Sequence, residues 1–246
     1  MFSGSVKLQA VLFGEFKDIL PTSDRIMKLM EMFSTKGFIP GTFLELDMTS
    51  PTPINRISLT SPNGEWLINI GSQRIDIFRN PLTPLGENLD NLGLFIDESN
   101  EIFEKLFGYF GRKGTRCALV TEYYFENDSI DEYNRIYGLL RKPFGLYERQ
   151  IPFEWNIRDA SRQMIADGAL TDAINTISMI NRAQGQLIGP GVVKPFDRIQ
   201  IIFDINTIPD NGDQRFDIER TRWFFGSALQ IQERMARDLS EVLNGK

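Results

Sequence analysis

The stretch NRISLTSPNGEWLINI, residues 55–70, decides the fold class because it contains the clearest hairpin signal in the chain. Apolar and polar side chains alternate on both sides of Pro62-Asn63-Gly64, as is typical of half-buried strands. Asn-Gly favours a tight turn because both residues tolerate positive φ. Gly71-Ser72 then indicates a second turn into a strand at residues 74–79. The stretch therefore predicts an antiparallel meander.

The residues around the meander alternate between strand and helix patterns. Residues 5–16 predict a strand, and residues 43–48 predict a short one. Between these strands, apolar side chains recur at helical spacing until Gly37, which is expected to end the helix. The side chains with that spacing are Ile26, Leu29, Met30 and Phe33. After the meander, residues 94–110 predict a second helix.

The second half of the chain repeats this order. Residues 116–125 predict a strand, and Ser129 with Glu132 forms the capping-box pattern that is typical of a helix start. The remaining expected elements are strands at 149–157, 170–182 and 197–207 and one long C-terminal helix at 216–243.

Each half thus follows the order strand, helix, antiparallel strands, helix, with an offset of roughly 110 residues. We predict an α+β fold of antiparallel meander sheets and helices, in which the long helix closes the second half. The domain prediction is an N-terminal half at 1–112 and a C-terminal half at 113–246. These halves either form two lobes or merge into one continuous domain.

Composition excludes several kinds of catalytic site. The 246 residues include no histidine, which excludes Ser-His-Asp and Cys-His triads and histidine zinc sites. Cys117 is the only cysteine, so neither an internal disulfide nor a cysteine-rich metal site can form. The phosphate-binding order Gly-x-x-x-x-Gly-Lys-Ser/Thr does not occur. We therefore expect no cofactor and favour a binding role over catalysis.

Charge and hydropathy restrict the expected partners and compartment. The formal net charge of −6 disfavours nucleic acid, since phosphate backbones are bound mainly by clustered lysine and arginine. The N-terminus has no leader pattern, and no stretch approaches the 18 apolar residues of a membrane span. Together with the single cysteine, these features predict a cytoplasmic protein without a membrane partner.

Acidic residues leave one catalytic alternative open. Glu122 and Asp204 lie near the ends of predicted strands, and Glu126 and Asp210 follow those strands, so their oxygens could converge on a magnesium ion. Scattered surface carboxylates are the simpler interpretation, because the chain contains 33 acidic residues. A carboxylate-dependent metal hydrolase or nuclease is therefore kept as the last of three hypotheses.

The long C-terminal helix carries the candidate binding residues. Trp223, Phe224 and Ile231 lie largely outside its main apolar stripe, and Arg222 lies beside them. Tryptophan and arginine are enriched at interface hot spots. We predict that these four residues bind a protein partner or a second copy of the chain. The alternative is that another helix of the same chain covers them.

The C-terminal quarter also carries a resemblance to a family. A strand at Ile201-Ile202-Phe203-Asp204-Ile205 leads through a polar loop into a helix that starts at Asp217-Ile218-Glu219. In this order of elements the chain resembles a sporadically distributed family of uncharacterised bacterial proteins. The resemblance implies a bacterial origin, a cytoplasmic location and an accessory role beside other genes, such as defence against phage. It implies no catalytic residues.

Three functions are therefore weighed from the sequence. The first is a non-enzymatic accessory protein that binds a protein partner. The second is a small-ligand sensor with a pocket between sheet and helices, because curved sheets that grip helices often enclose apolar cavities. The third is the carboxylate-dependent hydrolase or nuclease.

Overall fold

The structure is a computed structural model of the 246-residue chain. It describes residues 2–46, 52–83, 86–87, 89, 91–127, 129–189 and 192–244. The last two residues of the short strand predicted at residues 43–48, Asp47 and Met48, lie outside these residues.

The described residues form nine strands and five α-helices. The strands are β1 (Gly4–Phe13), β2 (Ile39–Glu45), β3 (Ile54–Thr60), β4 (Trp66–Ile70), β5 (Arg74–Arg79), β6 (Arg116–Phe125), β7 (Trp155–Asp167), β8 (Leu170–Gly189) and β9 (Val192–Thr207). The helices are α1 (Ser23–Met32), α2 (Leu92–Phe110), α3 (Ile130–Leu140), α4 (Leu146–Arg149) and α5 (Ile218–Leu243).

All nine strands belong to one antiparallel sheet with the order β2-β3-β4-β5-β1-β6-β9-β8-β7. The first strands of the two halves, β1 and β6, lie side by side at its centre, with Leu8 opposite Thr121. In each half the last strand of the meander returns beside the first strand. The sheet therefore runs without interruption through both halves.

The helices bury one face of this sheet. Alternate residues of β1 point toward the helices, namely Leu8, Ala10 and Leu12, and all three are buried. Helix α2 packs against α5, where the rings of Phe103 and Phe225 stack with centroids 5.7 Å apart. These residues belong to the main core, which includes Leu8, Ala10, Leu12, Phe95, Phe103, Phe216, Phe224, Phe225 and Ala228. A smaller core joins Tyr133, Ile136, Tyr137, Trp155, Ile180, Ile199, Ile201, Phe203, Leu239 and Leu243.

The structure confirms the α+β class, the antiparallel meander and the long C-terminal helix. The β3–β4 hairpin turns at Asn63-Gly64, where Gly64 has a φ of +79° that an L-residue rarely adopts. The predicted capping box is wrong, because the Ser129 side chain caps no backbone amide. The Glu132 carboxylate instead accepts two hydrogen bonds from Arg135, at 2.8 and 2.6 Å.

The strand predicted at residues 149–157 is also wrong. Its first residue, Arg149, ends the short helix α4, and the strand begins only at Trp155 and continues to Asp167. The other two strands of this half, β8 and β9, are also longer than predicted. Most side chains of β7 are exposed on both faces, so the strand lacks the apolar alternation that marks a half-buried strand.

None of the helices in the part of the chain that the structure describes has both the length and the apolar character that crossing a membrane requires.

Because Phe103 of α2 and Phe225 of α5 stack in the core, we expect a large loss of stability when the Phe225 side chain is truncated. Phe225 is fully buried, so Phe225→Ala is expected to lower the free energy of unfolding by about 3–5 kcal/mol, measured by urea denaturation. The same helix offers Val242→Ala as a control, because Val242 is 39% exposed and should cost less than about 1 kcal/mol. Equal losses for the two variants would contradict the assigned core.

Candidate interaction surface

Phe224, one of the four predicted binding residues of α5, lies in the main core. It is fully buried, and its ring packs edge-on against Phe216 and Phe225, with centroids 6.3 and 5.2 Å away. A partner therefore cannot reach its side chain in the folded chain. This position of Phe224 differs from the sequence prediction because α5 buries more than one stripe, packing on both α2 and the sheet.

The other three predicted residues lie nearer the surface. Trp223 and Ile231 are half-buried and pack against the main core, and the Arg220 guanidinium lies 5.8 Å from the Trp223 ring centroid. Arg222 is exposed and forms an ion pair with Glu104 of α2 at 2.8 Å. Arg222 therefore contacts another helix of the same chain. This is the alternative to partner binding that the sequence left open. Partner binding by Arg222, Trp223 and Ile231 stays a prediction.

A more exposed apolar surface lies between α3 and β7. We call residues 139–153 the apolar connector. Leu140 packs against the smaller core, but six other large side chains of the connector are exposed, from 40% at Tyr147 to 70% at Phe153. The exposed large residues of the connector are Leu139, Phe144, Leu146, Tyr147, Ile151 and Phe153.

Local sequence explains why the connector remains outside the core. Tyr133, Ile136 and Tyr137 form the buried face of α3, so Leu139 points away from that core. Pro143 and Pro152 flank α4, and the four residues of this helix are too few to present a continuous apolar face. Its aromatic rings contact each other instead: Phe144 and Tyr147 meet edge-to-face at 5.8 Å.

An open cleft of about 710 Å³ adjoins the connector. It is lined by residues that include Phe153, Trp155, Asn181, Arg182 and Gln184. The Trp155 ring is 7% exposed and packs on Tyr137 at 5.6 Å. Its indole nitrogen is buried and has no acceptor among the described residues. The nitrogen therefore lies beneath the surface of the cleft and is not in contact with the open space.

Arg182, which lines this cleft, forms an ion pair with Asp197. The Arg182 guanidinium donates to both Asp197 oxygens, at 3.0 and 2.7 Å, and lies 4.9 Å from the Tyr133 ring centroid. The hydrogen bonds from Arg182 hold the pKa of Asp197 below its usual value, and the bond from Gln184 acts in the same direction. The Tyr133 hydroxyl donates to the Asp197 carbonyl at 2.8 Å, and burial raises the pKa of this phenol.

The sheet face opposite the helices, the open face, carries polar and apolar side chains. It includes Lys7, Gln9, Val11 and Phe13 of β1 and their neighbours on β5, β6 and β9. A groove of about 180 Å³ lies at its centre, bordered by residues that include Gln9, Arg74, Arg116, Asp204 and Asn206. Beside it, Asp76 accepts hydrogen bonds from Gln9 and Arg74, and burial raises its pKa.

The four predicted carboxylates do not converge. Glu122 and Asp204 share the open face, where Glu122 pairs with Lys7 at 3.9 Å and Asp204 accepts from Asn206 at 2.8 Å. Glu126 is exposed at the end of β6, and Asp210 is exposed beside Arg162 at 4.0 Å. Within the described ranges no three acidic or cysteine side chains are close enough to hold a metal ion.

Among the described residues, the space between sheet and helices, where the sequence predicts a small-ligand pocket, contains a small cavity. This cavity has a volume of about 10 Å³ and is lined by residues that include Leu12, Phe16, Phe103 and Phe107. This volume is at the lower limit for a single water molecule and its lining is apolar. The larger cleft beside the connector lies at the edge of the sheet instead.

The sequence matches none of the protein-family models and none of the curated proteins with which it was compared.

The ion pair beneath the cleft predicts a pH-dependent effect on stability. Asp197→Asn is expected to cost about 1–3 kcal/mol at pH 7, because Arg182 is buried and loses a charged acceptor. The folded pKa of Asp197 is lowered, so its contribution is present above its unfolded pKa of about 3.9 and is lost as the pH falls through the folded value.

The stability difference between wild type and Asp197→Asn should therefore shrink in acid, as measured by urea denaturation between pH 7 and pH 2. Asp210→Asn is the matched control, because this carboxylate is 72% exposed and its ion pair is long. A constant difference across the whole pH range, or an equal effect of the control, would argue against the assigned pair.

Proposed function

We propose that the protein is a non-catalytic accessory protein that binds a protein partner through the apolar connector. The observation that carries this proposal is the exposure of six large apolar side chains within residues 139–153. Scattered exposed apolar residues are common on soluble proteins, but a concentration of them in one segment is typical of interaction sites.

The composition of the connector supports this role. Phe144, Tyr147 and Phe153 are aromatic, and aromatic residues are enriched at the centres of protein interfaces. Two prolines restrict the backbone of the segment, which lowers the conformational entropy that binding would cost. The connector therefore offers large rings on a partly preordered backbone.

Charge indicates the chemistry of the partner. The chain carries a net charge of −6, yet residues 141–149 contain three basic side chains and one acidic one. The three basic residues are Arg141, Lys142 and Arg149. A partner surface that is apolar at its centre and acidic at its rim would complement the connector and repel the rest of the chain, which favours this site over others.

The cleft beside the connector adds a directional contact. The side-chain amides of Asn181 and Gln184 border this cleft. A backbone carbonyl or carboxylate of the partner could accept hydrogen bonds from these amides while its side chains cover the rings of the connector. Following the family resemblance, we place this partner among the products of neighbouring bacterial genes.

The connector predicts which substitutions abolish binding. A triple variant, Phe144→Ser, Leu146→Ser and Phe153→Ser, should fold normally because all three side chains are exposed. We expect it to lose at least about 90% of the partner that co-purifies in stoichiometric amount with the tagged wild type, since each side chain is an apolar anchor.

The control replaces the same number of exposed apolar residues elsewhere, with Met27→Ser, Leu44→Ser and Leu94→Ser. It should retain the partner, and quantitative mass spectrometry of both eluates with circular dichroism of both proteins measures the difference. Recovery of no stoichiometric partner by the wild type, or equal loss in both variants, would overturn the proposal.

A further inference from the structure

The two edge strands of the nine-stranded sheet differ in how well they are protected against pairing with a strand of another chain. At one edge, β2 has seven residues and includes Pro40 and Gly41. Proline lacks a donor and shortens the row of available hydrogen bonds, a common device on protected edges. At the other edge, β7 has 13 residues and contains neither proline, glycine nor lysine. The edge at β7 therefore presents a long, regular backbone.

No large element of the described chain covers the free side of β7. The strand packs extensively only on β8, through a ladder that pairs every residue from Trp155 to Asp167. Ten of its 13 side chains are exposed. Backbone groups that point away from β8 consequently lie at the surface along about 43 Å, at ~3.3 Å per residue.

We propose that β7 pairs antiparallel with β7 of a second copy of the chain, about a twofold axis that passes through Ser161. This pairing adds a second surface to the proposed binding role and does not depend on the connector's partner. It would join the nine-stranded sheets of the two copies into one continuous sheet. The open faces of both copies would then lie on the same side of that sheet.

Symmetry and side-chain chemistry select this register. When two copies of a strand pair antiparallel about a twofold axis, both copies turn the same face of the sheet to the same side. Residues that lie opposite each other must therefore belong to the same face. Full overlap of the 13 residues places Ser161 opposite its own copy and Trp155 opposite Asp167. The pairs between these points are Asn156–Ala166, Ile157–Ile165, Arg158–Met164, Asp159–Gln163 and Ala160–Arg162.

No pair in this register opposes two like charges, and one pair joins two β-branched apolar residues. Ile157 and Ile165 are half-buried at the edges of the two cores, so their contact would extend both cores across the axis. β-branched pairs directly opposite each other are among the favourable cross-strand contacts. The Arg158 stem can lie along the flexible, exposed Met164 side chain.

Neighbouring registers are disfavoured by charge. A slip of two residues places Arg158 opposite Arg162 in one direction and Arg162 opposite its own copy in the other. A slip of four residues places Asp159 opposite its own copy or opposite Asp167. Like charges directly opposite each other destabilise a strand pair. The sequence of β7 is thus complementary to itself in the one register that also uses its whole length.

A cysteine substitution at the axis tests both the partner and the register. In the proposed dimer the two Cα atoms at position 161 are about 4.5–5.5 Å apart, within the range of a disulfide. Position 163 is displaced from the axis, so its two copies are about 13 Å apart and cannot be bridged. The native Cys117 does not interfere, since it is fully buried and burial raises its thiol pKa well above the usual value.

We expect oxidised Ser161→Cys to run as a covalent dimer on non-reducing gels, with at least tenfold more dimer than Gln163→Cys. Both positions are exposed on the same face of β7, so random collisions would link them equally. Equal cross-linking of the two variants, or none in either, overturns the proposal.

Lysine substitutions at the same two positions provide a second measurement. Ser161→Lys places two ammonium groups opposite each other at the axis and should yield the 28.2 kDa monomer by light scattering. Gln163→Lys places each lysine opposite Asp159 and should retain the dimer of twice that mass. A wild type that is monomeric at all concentrations would refute the pairing of β7 while leaving the connector proposal intact. A dimeric wild type that recovers no stoichiometric partner would refute the connector proposal while leaving the pairing of β7 intact.

Discussion

The ladder between β1 and β6 is the interaction on which the rest of the structure depends. It pairs the first strands of two halves that share the order strand, helix, meander, helix. Because each meander returns beside its own first strand, the remaining strands extend outward on opposite sides of this central pair. The ladder therefore merges two incomplete sheets into one, and it determines that β2 and β7 become the outer edges. The helices then close one face over β1 and β6, where the main core forms.

The outer edge strands of the two halves differ in length and composition. In the first half the meander has four strands and ends in a short edge that contains a proline. In the second half three long strands end in β7, and the apolar connector leads directly into it. Exposed rings, an open cleft and a long free backbone are thus gathered at one end of the sheet. This asymmetry is the physical basis of the proposed binding role.

Much of the fold follows from the sequence, because its signals are local. Asn63-Gly64 determines the first hairpin, and the alternation of Ile199, Ile201, Phe203 and Ile205 marks β9. The site was harder to predict, for three reasons. Phe224 was assigned to a partner because its burial depends on α2, which is distant in sequence. The strand β7 has polar side chains on both faces, so no periodicity could identify it as an edge. The exposed residues of the connector resemble core residues in sequence, and only the fold shows that no core is available to them.

The difference between the two edges can be measured by hydrogen exchange of the unmodified protein at low and high concentration. We predict that amides of residues 155–167 exchange more slowly at high concentration, since association buries the free backbone of β7. Amides of residues 39–45 should exchange at the same rate at both concentrations, because β2 remains an unpaired edge. Unchanged exchange in β7, or equal protection of both edges, would contradict the assignment of β7 as the open edge of the sheet.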